Sequence, residues 1–167
     1  TVQQKHSLAP GDTREQVLSR RAFLEAGYYA PIAKTLIETA KYYGVSGDIL
    51  DIGCGGGRAL KRLSPLVPNG KLYGVDYSET AVECTREENS ADVESGKLTV
   101  LHGSVSDLPF ADETFDKIFS IESYYFWPDL ANDLKEIRRV LKPGGIFVMQ
   151  QVGAENDREL VELLCGK

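Results

Sequence analysis

A chain of 167 residues with 42% hydrophobic content is long enough for one domain with a real core and too short for two. Its formal net charge of −6 and sequence pI near 5.0 disfavour a protein that grips nucleic-acid phosphates unaided, because that attraction needs clustered Lys and Arg. No apolar run reaches membrane-spanning length, and the amino-terminal TVQQKHSLAPGDTREQ is too polar for a secretory signal.

Cys54, Cys84 and Cys165 show neither paired spacing nor neighbouring histidines, which argues against a disulfide framework and against a metal site. A cytoplasmic protein with reduced thiols and no membrane partner is expected.

Taken in chain order, Asp12 is positioned to cap a first helix, with Glu15 returning the bond three residues on, and that helix should run to Gly27. A second helix, PIAKTLIETAKYY, starts near Pro31 and stops at Gly44, where glycine allows the left-handed end. From residue 48 onward, short β-rich runs alternate with helical patterns, which predicts an α/β fold with a parallel sheet. Five strands are expected: DILDI (48–52), KLYGVD (71–76), KLTVLHG (97–103), FDKIFSI (115–121) and GIFVMQQV (145–152). Before the last of them, DLANDLKEIRRVL sets Leu130, Leu134, Ile137 and Leu141 on one helical face, and Pro143 with two glycines ends it. Residues 1–44 then form an amino-terminal arm with lid helices, and residues 45–167 form the core of a single domain.

The first strand runs straight into ILDIGCGGGR (49–58). A glycine-rich turn between a strand and a helix lets backbone N–H groups approach a ligand closely. A dinucleotide fingerprint counted from Gly53 and Gly55 puts Arg58 where a last glycine or alanine belongs, so it fails. Asp51, Gly53, Gly55 and Gly57 instead spell D-x-G-x-G-x-G, which resembles the first motif of class I S-adenosylmethionine (SAM) methyltransferases.

Three further stretches agree in order and spacing. YGVDYSETAV ends the second strand with Asp76, where an acid can accept both ribose hydroxyls of an adenosyl group, with Tyr77 beside it and Ser78 free to cap the next helix. GSVSDLPFADETFDKI resembles the third family motif, whose first residues enclose the adenine, and RRVLKPGGIFVM resembles the crossover into the fifth strand. The resemblance implies a Rossmann-like three-layer sandwich. It also implies SAM as cofactor, S-adenosylhomocysteine as product, and contacts from Asp51, Gly53, Gly55, Gly56, Gly57, Asp76, Tyr77, Ser104, Val105 and Glu122. One departure is Gly103-Ser104-Val105 where many relatives have Gly-Asp-Ala; Ser104 or Asp107 is left to replace the carboxylate, and the Val105 N–H remains available.

Methyl transfer depends chiefly on proximity and alignment, so the lack of an acid–base dyad is no objection. SIESYYFWPD follows the fourth strand at the edge where the methyl group would point. Glu122 and Tyr124 are the catalytic candidates there, with Glu122 serving as a base or meeting the methionine end of the cofactor. Tyr124, Tyr125, Phe126 and Trp127 are set either to wall a substrate pocket or to pack the following helix. His102 is expected to be structural and His6 solvated.

The stretch VQQKHSLAPGDTREQVLSRRAFLEAGYYAPI resembles the segment that precedes the catalytic domain in large-subunit rRNA guanine-N1 methyltransferases, where the tyrosine matching Tyr29 touches the cofactor. Against an rRNA acceptor stand the acidic charge, the lack of a zinc ribbon before Thr1, and the resemblance of SIESYYFWPD to small-molecule methyltransferases. After the fifth strand only AENDRELVELLCGK remains, whereas the family fold ends with two further strands. The chain is therefore expected either to be a fragment or to complete its sheet edge with another chain, as in a homo-oligomer. The leading expectation is a SAM-dependent methyltransferase acting on a small molecule. The alternatives are a 23S rRNA guanine-N1 methyltransferase and a SAM-binding module without turnover.

Overall fold

The computed structural model describes residues 13–17, 19 and 30–150. It contains the five expected strands, β1 (Ile49–Ile52), β2 (Leu72–Asp76), β3 (Leu98–His102), β4 (Phe115–Ile121) and β5 (Leu141–Gln150). All pair in parallel in the order β3-β2-β1-β4-β5. The helices are α1 (Ala30–Tyr43), α2 (Arg58–Leu63), α3 (Glu79–Glu88), α4 (Ser90–Glu94) and α5 (Leu130–Val140). The chain steps outward from β1 to β3 and then returns to lay β4 on the other side of β1. That reversal opens a crevice outside the carboxyl ends of the strands, the usual ligand position in open parallel sheets.

Every residue of β1 is buried, as expected of a central parallel strand covered on both faces. Alternation of side chains along the strands separates two cores. On one face Ile49, Leu72, Leu98, Val100 and Phe119 pack with Leu36 and Ala40 of α1, Leu60 and Leu63 of α2 and Val82 of α3. On the other, Leu50, Ile52, Val75 and Ile118 pack with Ile137 and Val140 of α5. The rings of Tyr73, Phe110 and Phe115 meet edge to face beside that second core. Helix α1, grouped with the lid in the sequence reading, is thus built into the sandwich through Leu36 and Ala40. It stops at Gly44, whose φ of 77° is left-handed as anticipated.

In the first described turn Thr13 and Gln16 form a reciprocal pair, and the expected capping residue, Asp12, lies outside the described residues. The Thr13 Oγ1 accepts the Gln16 N–H at 3.3 Å, and the Gln16 Oε1 accepts the Thr13 N–H at 2.8 Å. This is the reciprocal geometry of a capping box. Strand β5 begins earlier than expected. Helix α5 ends at Val140, Leu141 already pairs with Phe115, and residues 142–145 bulge out before Ile146 resumes the ladder opposite Lys117. The segment from Lys142 to Gly145 is therefore an irregularity inside the strand, not a linker ahead of it. Among the described residues, no helix is long and apolar enough to cross a membrane.

Candidate functional site

The carboxyl ends of β1, β2 and β4 bring the sequence-selected residues together, and the glycines of the first turn divide into two kinds. At Gly53 (φ +75°) a Cβ would sit 2.5 Å from the Ser123 Cβ, and at Gly57 (φ +76°) it would sit 2.5 Å from the Asn89 Nδ2. These two are glycines because protein packs against them. Among the described residues, a Cβ at Gly55 (φ +55°) would meet only the Gly53 carbonyl, at 4.0 Å, and one at Gly56 only the Val17 side chain, at 3.8 Å. Among the described residues, no acceptor meets the Gly56 N–H.

Asp76 holds the turn from the neighbouring strand. Its Oδ2 accepts the Gly55 N–H at 2.8 Å and its Oδ1 accepts the Ser78 N–H at 2.9 Å. Ser78 caps α3 as expected, its side chain accepting the Ala81 N–H. Tyr77 is 52% exposed, with its backbone carbonyl 2.9 Å from the His102 Nε2 and its ring 6.2 Å from the imidazole. After β3, the Ser104 Oγ is turned inward to accept the Ser106 N–H at 3.1 Å, and Ser104 bridges Asp107. The Val105 side chain is buried in the second core, while its N–H meets no acceptor among the described residues.

Asp51 lies at the end of β1 and is buried. Burial pushes its carboxyl up from 3.8 to about 7, and the negative charge of Asp76 adds to the shift. Burial likewise pushes the Cys54 thiol well above its ordinary range, with Asp76 and Asp51 contributing. Cys54 and Cys84 are both free and buried. Such a thiol packs and does not react.

On the acceptor side, Glu122 takes a positive φ of 52°, uncommon for a residue with a side chain, and its N–H donates to the Gln150 carbonyl at 2.9 Å. Ser123 anchors the loop by donating to the Ile52 carbonyl at 3.1 Å, and the Ser120 hydroxyl lies 2.7 Å from its Oγ. Tyr124 is buried and its ring lies 4.3 Å from that of Tyr125. Tyr125 and Phe126 are half exposed, at 53% and 50%. Trp127 packs against the second core. Of the two readings of these aromatics, packing holds for Trp127.

Tyr29 and His6 lie outside the described residues, as does most of the amino-terminal stretch that resembles the rRNA enzymes. Three residues that shape the turn were not singled out from the sequence. Thr85 donates to the Gly55 carbonyl at 2.7 Å, Asn89 donates to the Gly57 carbonyl at 3.1 Å, and Ser123 fills the space beside Gly53. The signal available for the first two is a pair of polar residues four apart, Thr85 on the buried face of α3 beside Ala81 and Val82, and Asn89 at its carboxyl-terminal cap.

Comparison with known proteins gives this geometry a context. Residues 50–149 match the family model described as a methyltransferase domain. The chain is 39% identical over 101 residues to a demethylmenaquinone methyltransferase of Symbiobacterium thermophilum, covering 60% of this chain and 40% of that protein. It is 32% identical over 123 residues to a sterol 24-C-methyltransferase of Pneumocystis carinii, covering 71% of this chain and 32% of that protein. It thus spans two fifths or less of the length of these curated relatives. Among solved structures, a SAM-dependent methyltransferase from Aquifex aeolicus superposes with a TM-score of 0.62 at 27% identity, covering 68% of this chain and 62% of that one.

Proposed function

Because the chain belongs to the methyltransferase-domain family, whose model spans residues 50–149, we propose that it transfers a methyl group from SAM to a small-molecule acceptor. The observation that carries this reading is the turn at Gly55. There, among the described residues, no side chain fills the space at Gly55 next to Asp76 and no acceptor meets the Gly56 N–H. That combination fits an adenosyl ligand with an amino-acid tail. Asp76 accepts ribose hydroxyls, the Gly56 N–H donates to a ligand oxygen, and Tyr77 with the Val105 N–H borders the adenine. The bound cofactor supplies a methyl group already activated by its sulfonium.

What this chain must then provide is alignment and exclusion of water. Glu122 is suited to take a proton from the acceptor or to meet the cationic end of the cofactor, and Tyr124, Tyr125 and Phe126 wall the acceptor's side. The names of the relatives, a demethylmenaquinone and a sterol methyltransferase, agree with an apolar small molecule meeting half-exposed rings. An rRNA guanine acceptor is the second reading, favoured by the run RRAFLEAGYYAP at residues 20–31. Methyl-labelled SAM offered with a lipid and quinone extract, and separately with unmodified rRNA, tests the acceptor. Label in the small-molecule fraction supports the proposal. Label in rRNA transfers it to the second reading, and cofactor binding without transfer to either reduces it to a binding module.

A further inference from the structure

The glycine turn has an external brace on α3. Thr85 is fully buried, and its Oγ1 donates to the Gly55 carbonyl at 2.7 Å. Since that hydroxyl proton is committed, the Cys54 thiol 3.7 Å away is the donor toward the Thr85 Oγ1. One helical turn later, the Asn89 amide donates to the carbonyls of Gly57 and Thr85, at 3.1 and 2.9 Å. Two acceptors fix the orientation of that amide and leave its Oδ1 buried without a partner among the described residues. An orphaned buried oxygen is costly. The cost is tolerated where the amide nitrogen is committed to holding the turn.

A peptide plane has its C=O and the following N–H pointing in opposite directions. Drawing the Gly55 carbonyl into α3 therefore turns the Gly56 N–H away from α3. The other side of Gly55 is fixed as well, because its own N–H is held by Asp76 at 2.8 Å. Two successive peptide planes are thus oriented by side chains from two different elements, and the Gly56 N–H that results meets no acceptor among the described residues. We infer that Thr85 is a positioning residue of the cofactor site, which aims the Gly56 N–H at the ligand through the Gly55 carbonyl. Asn89 extends the same brace to Gly57. The effect on ligand affinity rests on the SAM-binding reading; the aim of the Gly56 N–H does not.

Thr85→Val keeps the shape and removes the donor, whereas Thr85→Ser keeps the donor and removes a methyl group. Calorimetric titration with S-adenosylhomocysteine should show affinity about tenfold weaker for Thr85→Val and within about twofold of wild type for Thr85→Ser. In parallel, the Gly56 amide 1H–15N resonance should move in Thr85→Val and stay in Thr85→Ser. If Thr85→Val does not fold, Thr85→Ala takes its place in both measurements. Equal losses for the two variants, or wild-type affinity in Thr85→Val, overturn the inference by making Thr85 a packing residue. Should the wild-type protein bind no S-adenosylhomocysteine, the functional reading falls, and the Gly56 resonance alone decides on Thr85: movement in both variants or in neither overturns its role.

Discussion

Asp76 at the end of β2 and Gly55 in the turn after β1 are joined by a 2.8 Å hydrogen bond from the glycine N–H to the Asp76 Oδ2. The acid proposed to meet the ligand therefore also helps hold the glycine turn in shape. Asp76→Ala should weaken S-adenosylhomocysteine binding by about 1–3 kcal/mol, through loss of a charged acceptor and loosening of the turn. Calorimetry on the folded variant checks this. Unchanged affinity would reduce Asp76 to a local cap for Ser78.

The glycines should separate stability from binding. Gly57→Ala must force a Cβ against Asn89 and Thr85 at a left-handed φ of 76°, so it should cost about 2–4 kcal/mol of stability. Gly55→Ala meets no neighbour closer than 4.0 Å among the described residues and should cost only about 1–2 kcal/mol for its φ, while cutting ligand affinity roughly tenfold or more. Denaturant unfolding and titration of both variants decide it. Gly55→Ala with full affinity would mean that the space there is not the ligand's.

Much of the site was readable in the sequence because its signals are local. The D-x-G-x-G-x-G spacing, Asp76 at a strand end and Ser78 as a helix cap each need only neighbours in the chain, and the strands were visible as short buried β-rich runs. Thr85, Asn89 and Ser123 were not readable. Their partners are the carbonyls of Gly55, Gly57 and Ile52, which lie 30, 32 and 71 residues away. The start of β5 depended on sheet register, since only pairing of Leu141 with Phe115 draws it ahead of Pro143.

The Asp51 carboxyl has a distinct pH signature. Its pKa is raised from 3.8 to about 7, chiefly by burial and then by Asp76, so between those values the folded protein holds a proton that the unfolded chain releases. Its contribution therefore favours folding below pH 4 and declines as pH rises through 7, by about 4 kcal/mol at most. Asp51→Asn should flatten this part of the profile and raise the thermal midpoint at pH 8 relative to wild type. Asp116 runs in the opposite direction at lower pH, because the Lys142 hydrogen bond holds its pKa down, and it cancels when variant and wild type are compared. Parallel curves for the two proteins would show that Asp51 is ionised in the fold throughout.

The central claim is that the turn from Gly53 to Gly57, together with Asp76, forms a seat for SAM and not for a dinucleotide. Calorimetric titration of the same preparation with S-adenosylhomocysteine and with NAD tests it most directly. Saturable one-to-one binding of S-adenosylhomocysteine and no response to NAD are expected. Saturable binding of NAD with no response to S-adenosylhomocysteine would contradict it.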